Sequence, residues 1–302
     1  MNLWIPDAVG RDAIGELPEN VALGLIPRDG EVPGEILDAE FLVPRAGDGR
    51  VLRQLSQMRR LRVIQTLSAG VDWLLGSVPS GVTLCDAAGA RDAAVAEWVL
   101  AAILACKRRL PQLRDRQREH DWAWGQSGEL LGATVMILGY GAIGAAVEER
   151  LSPFGVELIR VARGARPGVH PVAELESLLG QAEIVVVLLP LTAQTTGMLD
   201  RSMLARLQPG ALLVNAARGP IVDTDALVDA LTAQRITAAL DVTDPEPLPA
   251  DHPLWDAPGL LLTPHCAGDT PAAERRAFAL VGEQARRYVA SQALANVVEH
   301  GY

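Results

Sequence analysis

The sequence predicts an α/β protein built from two doubly wound parallel sheets. Three observations point there. Strand-like and helix-like segments alternate from one end of the chain to the other. The 302 residues are enough for about two domains, each with a substantial core. From Leu130 a more regular series of apolar runs begins, and a glycine-rich turn joins the first of them to a helical stretch.

Taken in order, short apolar runs at residues 3–6, 21–27, 41–44, 62–67 and 83–87 are separated by helical or Gly/Pro-containing segments, which suits a small open sheet. Residues 93–110, AAVAEWVLAAILACKRRL, read as one long helix too apolar to be exposed on all sides. A polar, Arg-rich stretch follows through residue 124. The second series is TVMILGY, ELIRVAR, IVVVLLP, ALLVNAA, ITAALDV and LLLTPH, a six-stranded sheet. Residues 271–298 read as mostly helical and able to return to the first domain. There is no internal repeat and no low-complexity tract.

Composition excludes several kinds of chemistry. A formal charge of −10 works against binding to nucleic acid or to an anionic membrane surface. The longest nearly unbroken apolar stretch, residues 93–106, falls short of the roughly 20 residues a membrane span needs. The N-terminus MNLWIPDAVGRD lacks the pattern of a secretory signal, so the expected compartment is the cytoplasm. Cys85, Cys106 and Cys266 are odd in number and far apart, which fits buried reduced thiols rather than a disulfide framework or a zinc ribbon. Lys107 is the only lysine, so Schiff-base chemistry and a lysine-bearing phosphate loop are not expected. Five scattered histidines offer no metal cluster.

The strongest local motif is GYGAIG, comprising Gly139, Tyr140, Gly141, Ala142, Ile143 and Gly144. It follows the strand TVMIL and opens a helix. Such glycines allow a tight turn, close approach of backbone to a pyrophosphate and close helix packing, while the helix N-terminus supplies amide donors. The competing readings are a plain glycine-rich connection and a methyltransferase-like nucleoside site. The next strand usually ends in an acid that binds the adenosine ribose. Here Ala162 and Arg163 stand instead, with Arg166 close behind. Guanidinium suits a ribose carrying a 2′-phosphate, so NADP is expected ahead of NAD.

Three later strand ends each carry one residue fit for chemistry: Arg218 in NAARGP, Glu246 in DVTDPEPLP and His265 in LTPHCAGD. Ligands of doubly wound sheets bind beyond the carboxyl ends of the strands, so all three share the rim that holds the glycine loop. Singly, each has a duller reading as a solvated arginine, a turn glutamate or an ordinary polar histidine. Cys266 beside His265 is not expected to form a thiol dyad, because neighbours on an extended chain point to opposite sides.

Over essentially its whole length the chain resembles the D-isomer-specific 2-hydroxyacid dehydrogenases. The matching segments, in order, are Leu67-Ser68-Ala69-Gly70-Val71-Asp72, Val95-Ala96-Glu97, Gly139 to Gly144, Leu189-Pro190-Leu191-Thr192 with Thr195, Asn215-Ala216-Ala217-Arg218-Gly219, Asp241 through Glu246-Pro247 to Pro253-Leu254-Trp255, and Thr263-Pro264-His265. The resemblance implies a Rossmann dinucleotide-binding domain, residues 93–270, inserted into a discontinuous flavodoxin-like substrate domain, residues 1–92 and 271–302. It implies Arg218, Glu246 and His265 as catalytic residues, and Ala69, Gly70 and Val71, with Arg218, as the holders of a substrate carboxylate. The cofactor is expected at Gly139 to Gly144, Ala162, Arg163, Arg166, Leu189, Pro190, Thr195, Ala216, Ala217, Asp241, His265 and Gly268. A homodimer formed largely through the nucleotide domain is also implied.

Reduction of a 2-oxo acid needs a hydride, a proton for the carbonyl oxygen, and positive charge on the carboxylate. Cofactor, His265 and Arg218 are expected to supply these, while Glu246 fixes the imidazole tautomer and favours its protonated form. Within the family, SAGVD, the arginines after the second strand and DPEPLP…HPLW look most like short NADPH-dependent glyoxylate/hydroxypyruvate reductases, with NAD use possible. The loop FLVPRAGDG fixes no substrate side chain. The alternatives are a nucleotide-sensing, corepressor-like interaction protein and another family dehydrogenase taking a bulkier 2-oxo acid. Formate dehydrogenase is disfavoured by Glu246, where the resemblance calls for glutamine. Phosphoglycerate dehydrogenase with a regulatory domain is disfavoured by length.

Overall fold

The computed structural model describes residues 1–122 and 125–298. The chain divides into two compact units, Met1–Asp92 with Asp269–Tyr302, and Ala93–Gly268. Each holds one parallel sheet.

In the first unit the strands are β1 (Asn2–Pro6), β2 (Ala22–Ile26), β3 (Phe41–Leu42), β4 (Val63–Gln65) and β5 (Thr83–Cys85). Their spatial order is β2-β1-β3-β4-β5, all parallel, the flavodoxin-like order. Successive side chains alternate between two cores, as the two-residue period of a strand requires. Trp4, Leu42 and Ile64 join Ile36 and Leu74 on one face. Leu3, Ile5, Phe41 and Val63 meet Phe278, Val281 and Ala285 on the other. The latter three lie on the helix Pro271–Val289, which returns from the far end of the chain. It comes so near that a Cβ on Gly282 would lie 1.9 Å from the Ile14 carbonyl oxygen.

The second unit carries β6 (Thr134–Leu138), β7 (Glu157–Ala162), β8 (His170–Pro171), β9 (Ile184–Val187), β10 (Leu212–Asn215), β11 (Thr237–Leu240) and β12 (Leu260–Leu262). The order is β12-β11-β10-β9-β6-β7-β8. The chain leaves β6 in one direction to β7 and then crosses to β9, so the strand order reverses beside β6. That reversal is the point where doubly wound sheets open a crevice for ligands. Met136, Leu138, Val185, Val187 and Leu213 fill one face. Val135, Ile137, Ile184, Val186 and Val214 fill the other, against Val95, Val99 and Ile103 of the helix Asp92–Lys107.

The α/β class and both parallel sheets are as the sequence predicts. Three elements differ. The second sheet has seven strands rather than six, because the two residues of β8 pair with Val161 and Ala162, and so short a run carries no periodic signal. The helix expected over residues 93–110 stops at Lys107. Arg109 takes a left-handed conformation, φ 54°, and a new helix, Leu110–Arg118, starts with Pro111 in its first turn. The last helix ends at Val289, after which Ser291 turns left-handed and Val297 bridges to Cys85. The buried Gln284 holds that return, accepting from the Ala295 amide at 2.9 Å and donating to its carbonyl at 2.7 Å. Residue 124, the end of the expected Arg-rich stretch, lies outside the described residues. Among the described residues no helix is long and apolar enough to cross a membrane.

Candidate active site

The glycine loop sits where β6 hands over to the helix Ala142–Leu151. Gly139 has φ +107°, and a Cβ there would lie 2.5 Å from the Leu188 carbonyl carbon. Glycine alone fits both conditions. A Cβ on Gly144 would lie 2.9 Å from the Gly139 oxygen, so this glycine lets the helix close onto the turn. Gly141 differs, since nothing lies within 4 Å of where its Cβ would project. The bare backbone of Gly141 therefore faces open space at a helix N-terminus, whose first amides lack intrahelical acceptors. These residues fit a dinucleotide, with a pyrophosphate received on Gly141 and the first helical turn.

Ala162, the last residue of β7, is half-buried, and Arg163 and Arg166 beyond it are exposed. Arg166 donates to the Tyr140 carbonyl, and its guanidinium lies 5.5 Å from the Tyr140 ring centroid. Among the described residues, neither Arg163 nor Arg166 forms an ion pair with a carboxylate. Arg160 lies 5.8 Å from the same ring, but it is committed to Glu148 through two bonds of 2.6 Å. That guanidinium holds the Glu148 carboxyl below its ordinary range, and the Glu148 acceptor pushes the Tyr140 hydroxyl up.

The loop after β9 carries Leu189, which is buried, and Pro190. Thr195 donates its hydroxyl to the Pro190 carbonyl at 2.6 Å and accepts from the Thr192 amide at 2.8 Å, so this side chain shapes its own loop. At the end of β10, buried Asn215 clamps the next turn. Its amide donates to the Arg218 carbonyl at 3.0 Å and its oxygen accepts from the Ala217 amide at 3.0 Å. Arg218 follows half-buried, with Nη1 donating to the Ala217 carbonyl at 2.7 Å. Ala216 and Ala217 lie inside this clamp. Gly219 then passes so close to the chain beyond β11 that a Cβ would stand 1.9 Å from the Thr243 carbonyl oxygen.

That neighbouring segment leads to Glu246. Thr243 donates to the Pro245 carbonyl at 2.8 Å and Thr224 to the Asp244 carbonyl at 3.0 Å, which fixes the proline-rich turn. The Glu246 Oε1 lies 2.6 Å from His265 Nδ1. Both side chains are nearly half exposed at their outer ends. His265 itself is left-handed, φ 52°, and its amide donates to the Asp241 carbonyl at 2.7 Å. Asp241, only 2 % exposed, takes the Thr263 hydroxyl at 2.6 Å and the Cys266 and Ala267 amides at 2.9 and 2.8 Å. Its carboxylate thereby sets the turn that carries His265. Gly268 is half-buried at the end of this turn. Cys266 is exposed rather than buried as the sequence suggested, and partial desolvation with Asp241 nearby pushes its thiol up, away from a reactive thiolate.

In the first unit, residues 69–71 follow β4. Thr66 donates to the Ser68 carbonyl at 2.6 Å, while Ser68 and the Trp73 indole donate to the Gly70 carbonyl at 2.9 and 3.1 Å. Ala69 and Gly70 are half-exposed and Val71 is buried. Among the described residues no group of three or more His, Cys, Asp or Glu side chains could hold a metal ion.

The structure thus pairs His265 with Glu246 directly and backs the Arg218 turn onto the segment leading to Glu246. The sequence reading assigned no structural task to Asn215, Gly219, Glu148 or Arg160, and took Asp241 only as a cofactor contact. A polar residue closing an otherwise apolar strand was the available signal for Asn215 and Asp241.

Residues 100–267 match the family described as "D-isomer specific 2-hydroxyacid dehydrogenase, NAD binding domain". The D-3-phosphoglycerate dehydrogenase of Mycobacterium tuberculosis is 31% identical over 98% of this chain, which spans only 58% of that relative's length. Glyoxylate/hydroxypyruvate reductase B of Pectobacterium atrosepticum is 36% identical over 72% of this chain and 72% of its own. Among solved structures, a D-isomer specific 2-hydroxyacid dehydrogenase from Xanthobacter autotrophicus, in complex with NADPH and MES, superposes with a TM-score of 0.84 at 30% identity, covering 99% of both chains. The match over residues 100–267 and the likeness to the Pectobacterium reductase show that this chain belongs to the D-isomer-specific 2-hydroxyacid dehydrogenase family.

Proposed function

We propose that this chain reduces a small 2-oxo acid of the glyoxylate/hydroxypyruvate class to the D-2-hydroxy acid, with NADPH preferred over NADH. The observation that carries the reading is the 2.6 Å contact between His265 and Glu246, on the rim of the sheet where the glycine loop opens. A bound nicotinamide supplies the hydride. His265, with its Nδ1–H donated to Glu246, presents Nε2 as the proton donor to the carbonyl oxygen, and Glu246 stabilises the charge the ring carries before transfer. Arg218 pairs with the substrate carboxylate and polarises the carbonyl. Hydride to carbon and proton to oxygen complete the alcohol.

Arg163 and Arg166, with no acid at position 162, favour a 2′-phosphate, and the Xanthobacter relative's NADPH supports the same choice. We further propose a homodimer. The helix Leu110–Arg118 buries none of its residues, and its Leu110 and Leu113 are exposed, as is Trp122 just after it. Three free thiols suit a reducing compartment such as the cytoplasm.

The test is a panel of glyoxylate, hydroxypyruvate, pyruvate and bulkier 2-oxo acids with each cofactor, together with D-3-phosphoglycerate oxidation. NADPH consumption with glyoxylate or hydroxypyruvate should lead, and charge-assisted contacts to the phosphate predict a preference over NADH of about 10- to 100-fold. His265→Ala should lower kcat by roughly 10²- to 10⁴-fold with NADPH affinity unchanged. Near-normal turnover by that variant overturns the proton-donor assignment. NADPH binding without turnover of any acid in the panel favours the nucleotide-sensing reading instead.

A further inference from the structure

The second residue of the glycine loop, Tyr140, is flanked by two guanidinium groups that are not equivalent. Arg160, on β7, approaches the ring at 5.8 Å, yet its charge is matched by both oxygens of Glu148, each at 2.6 Å. The same carboxylate lies near the Tyr140 hydroxyl and pushes its pKa up. Arg166 comes from the exposed turn after β7. It lies 5.5 Å from the ring centroid and donates to the carbonyl of the same tyrosine. Among the described residues it has no carboxylate partner.

An exposed arginine side chain has many rotamers to lose, so fixing one needs specific contacts. Here the fixing contacts are an aromatic face and a carbonyl oxygen, neither of which cancels the positive charge. They occupy one N–H of a fork that has five, and leave the others for an anion. The turn that carries Arg166 begins where the strand after a glycine loop ends, which is where dinucleotide-binding sheets receive the adenosine ribose.

We propose that Tyr140 is a specificity-determining positioning residue: its ring and carbonyl hold Arg166 as the guanidinium that reads the ribose 2′-phosphate, while Glu148 keeps the neighbouring Arg160 paired. This rests on the NADPH reading above and deepens it. A tyrosine that only packed the glycine loop would matter equally to nucleotides with and without a 2′-phosphate. A tyrosine that holds Arg166 matters to the first kind alone.

The experiment measures calorimetric affinities of the whole protein for 2′,5′-ADP and 5′-AMP, which differ only in that phosphate and require no turnover. The unaltered protein should prefer 2′,5′-ADP. Tyr140→Leu should cut the preference by roughly 5- to 10-fold through lost 2′,5′-ADP affinity, the size expected for a cation–π contact and a freed side chain. Tyr140→Phe, which keeps ring and carbonyl, should retain the preference within about 2-fold on the same grounds. In an Arg166→Ala background, Tyr140→Leu should change the ratio no further, as a double-mutant cycle requires of coupled residues. An unchanged ratio in Tyr140→Leu, or an equal loss for both nucleotides, overturns the role of Tyr140 and leaves the NADPH reading standing. No preference in the unaltered protein overturns the NADPH reading itself, and the role of Tyr140 with it. Should Tyr140→Leu lose its cooperative melt, Arg166→Lys decides with the tyrosine intact. Lysine keeps the charge but cannot lie on the ring as a planar fork, so its ratio should fall toward that of Arg166→Ala, and a fully retained ratio overturns the proposal.

Discussion

His265 is held by more than the glutamate it touches. Its left-handed backbone is set by Asp241, which takes the amides of Cys266 and Ala267 and the Thr263 hydroxyl. A buried carboxylate with three donors is a rigid anchor, because each bond it loses would leave a polar group unsatisfied away from water. Glu148 shows the opposite arrangement, a carboxylate near the surface whose stabilising partner is a cation. The Arg160 guanidinium lowers its pKa in the folded state, so its contribution to stability is present above the ordinary carboxylate range. That contribution is lost as pH falls through the lowered folded value. Glu148→Gln should therefore melt earlier at neutral pH, by about 1 kcal/mol for a partly exposed pair, and the gap should close in strong acid. Thermal melts of both proteins between pH 7 and pH 2 check this, and a gap that widens on acidification would contradict it. Arg218, Glu246 and His265 stood out as candidates because each is a side chain fit for chemistry that follows an apolar run, directly or through a short turn. What Asp241 holds was not legible, since its acceptor oxygens meet backbone amides about twenty-five residues further along.

Between elements, the closest approach lies at Gly219, where the turn after β10 meets the chain beyond β11 at a distance that leaves no room for a methyl group. The Arg218 turn and the segment leading to Glu246 are thus joined by backbone rather than by side chains. Gly219→Ala should push them apart, destabilising the protein by about 1–3 kcal/mol as overpacking does. Whatever fraction folds should show a lowered kcat while NADPH affinity holds. Gly164→Ala is the control, since nothing lies within 4 Å of a Cβ there. Equal melting temperatures and turnover for the two variants would refute the argument. Sequence alone marks Gly219 as a glycine after an arginine and says nothing of Thr243. The elements themselves were read more easily where they were long. Most strand cores of both sheets appear as apolar runs, whereas two-residue β8 and the break at Arg109 depend on local turns. Pro111, two residues past that break, was the only sign that a new helix begins.

At the scale of the whole molecule, the question is which apolar surface a single chain leaves uncovered. The sequence pointed to the helix that begins at residue 93, as one too apolar to be exposed on all sides. The structure covers much of that helix from within. Val95, Val99 and Ile103 pack against Val135, Ile137 and Val147, and Ala94, Ala96 and Ala102 are buried as well. Periodicity showed that a face had to be buried but could not name its partner. Exposed apolar side chains gather further on, in the helix Leu110–Arg118 and at Trp122, which is 88% exposed. A large indole left in water beside two exposed leucines is a costly surface for an isolated chain, and pairing about a two-fold axis removes it from both copies at once. Light scattering at micromolar concentration should therefore give about twice the 32.1 kDa of one chain. Leu113→Glu combined with Trp122→Glu should bring that mass down to a single chain, because like charges would then face one another across the axis. The mass of one chain for the unaltered protein would remove the dimer. An unchanged double mass in the variant would move the interface away from this helix.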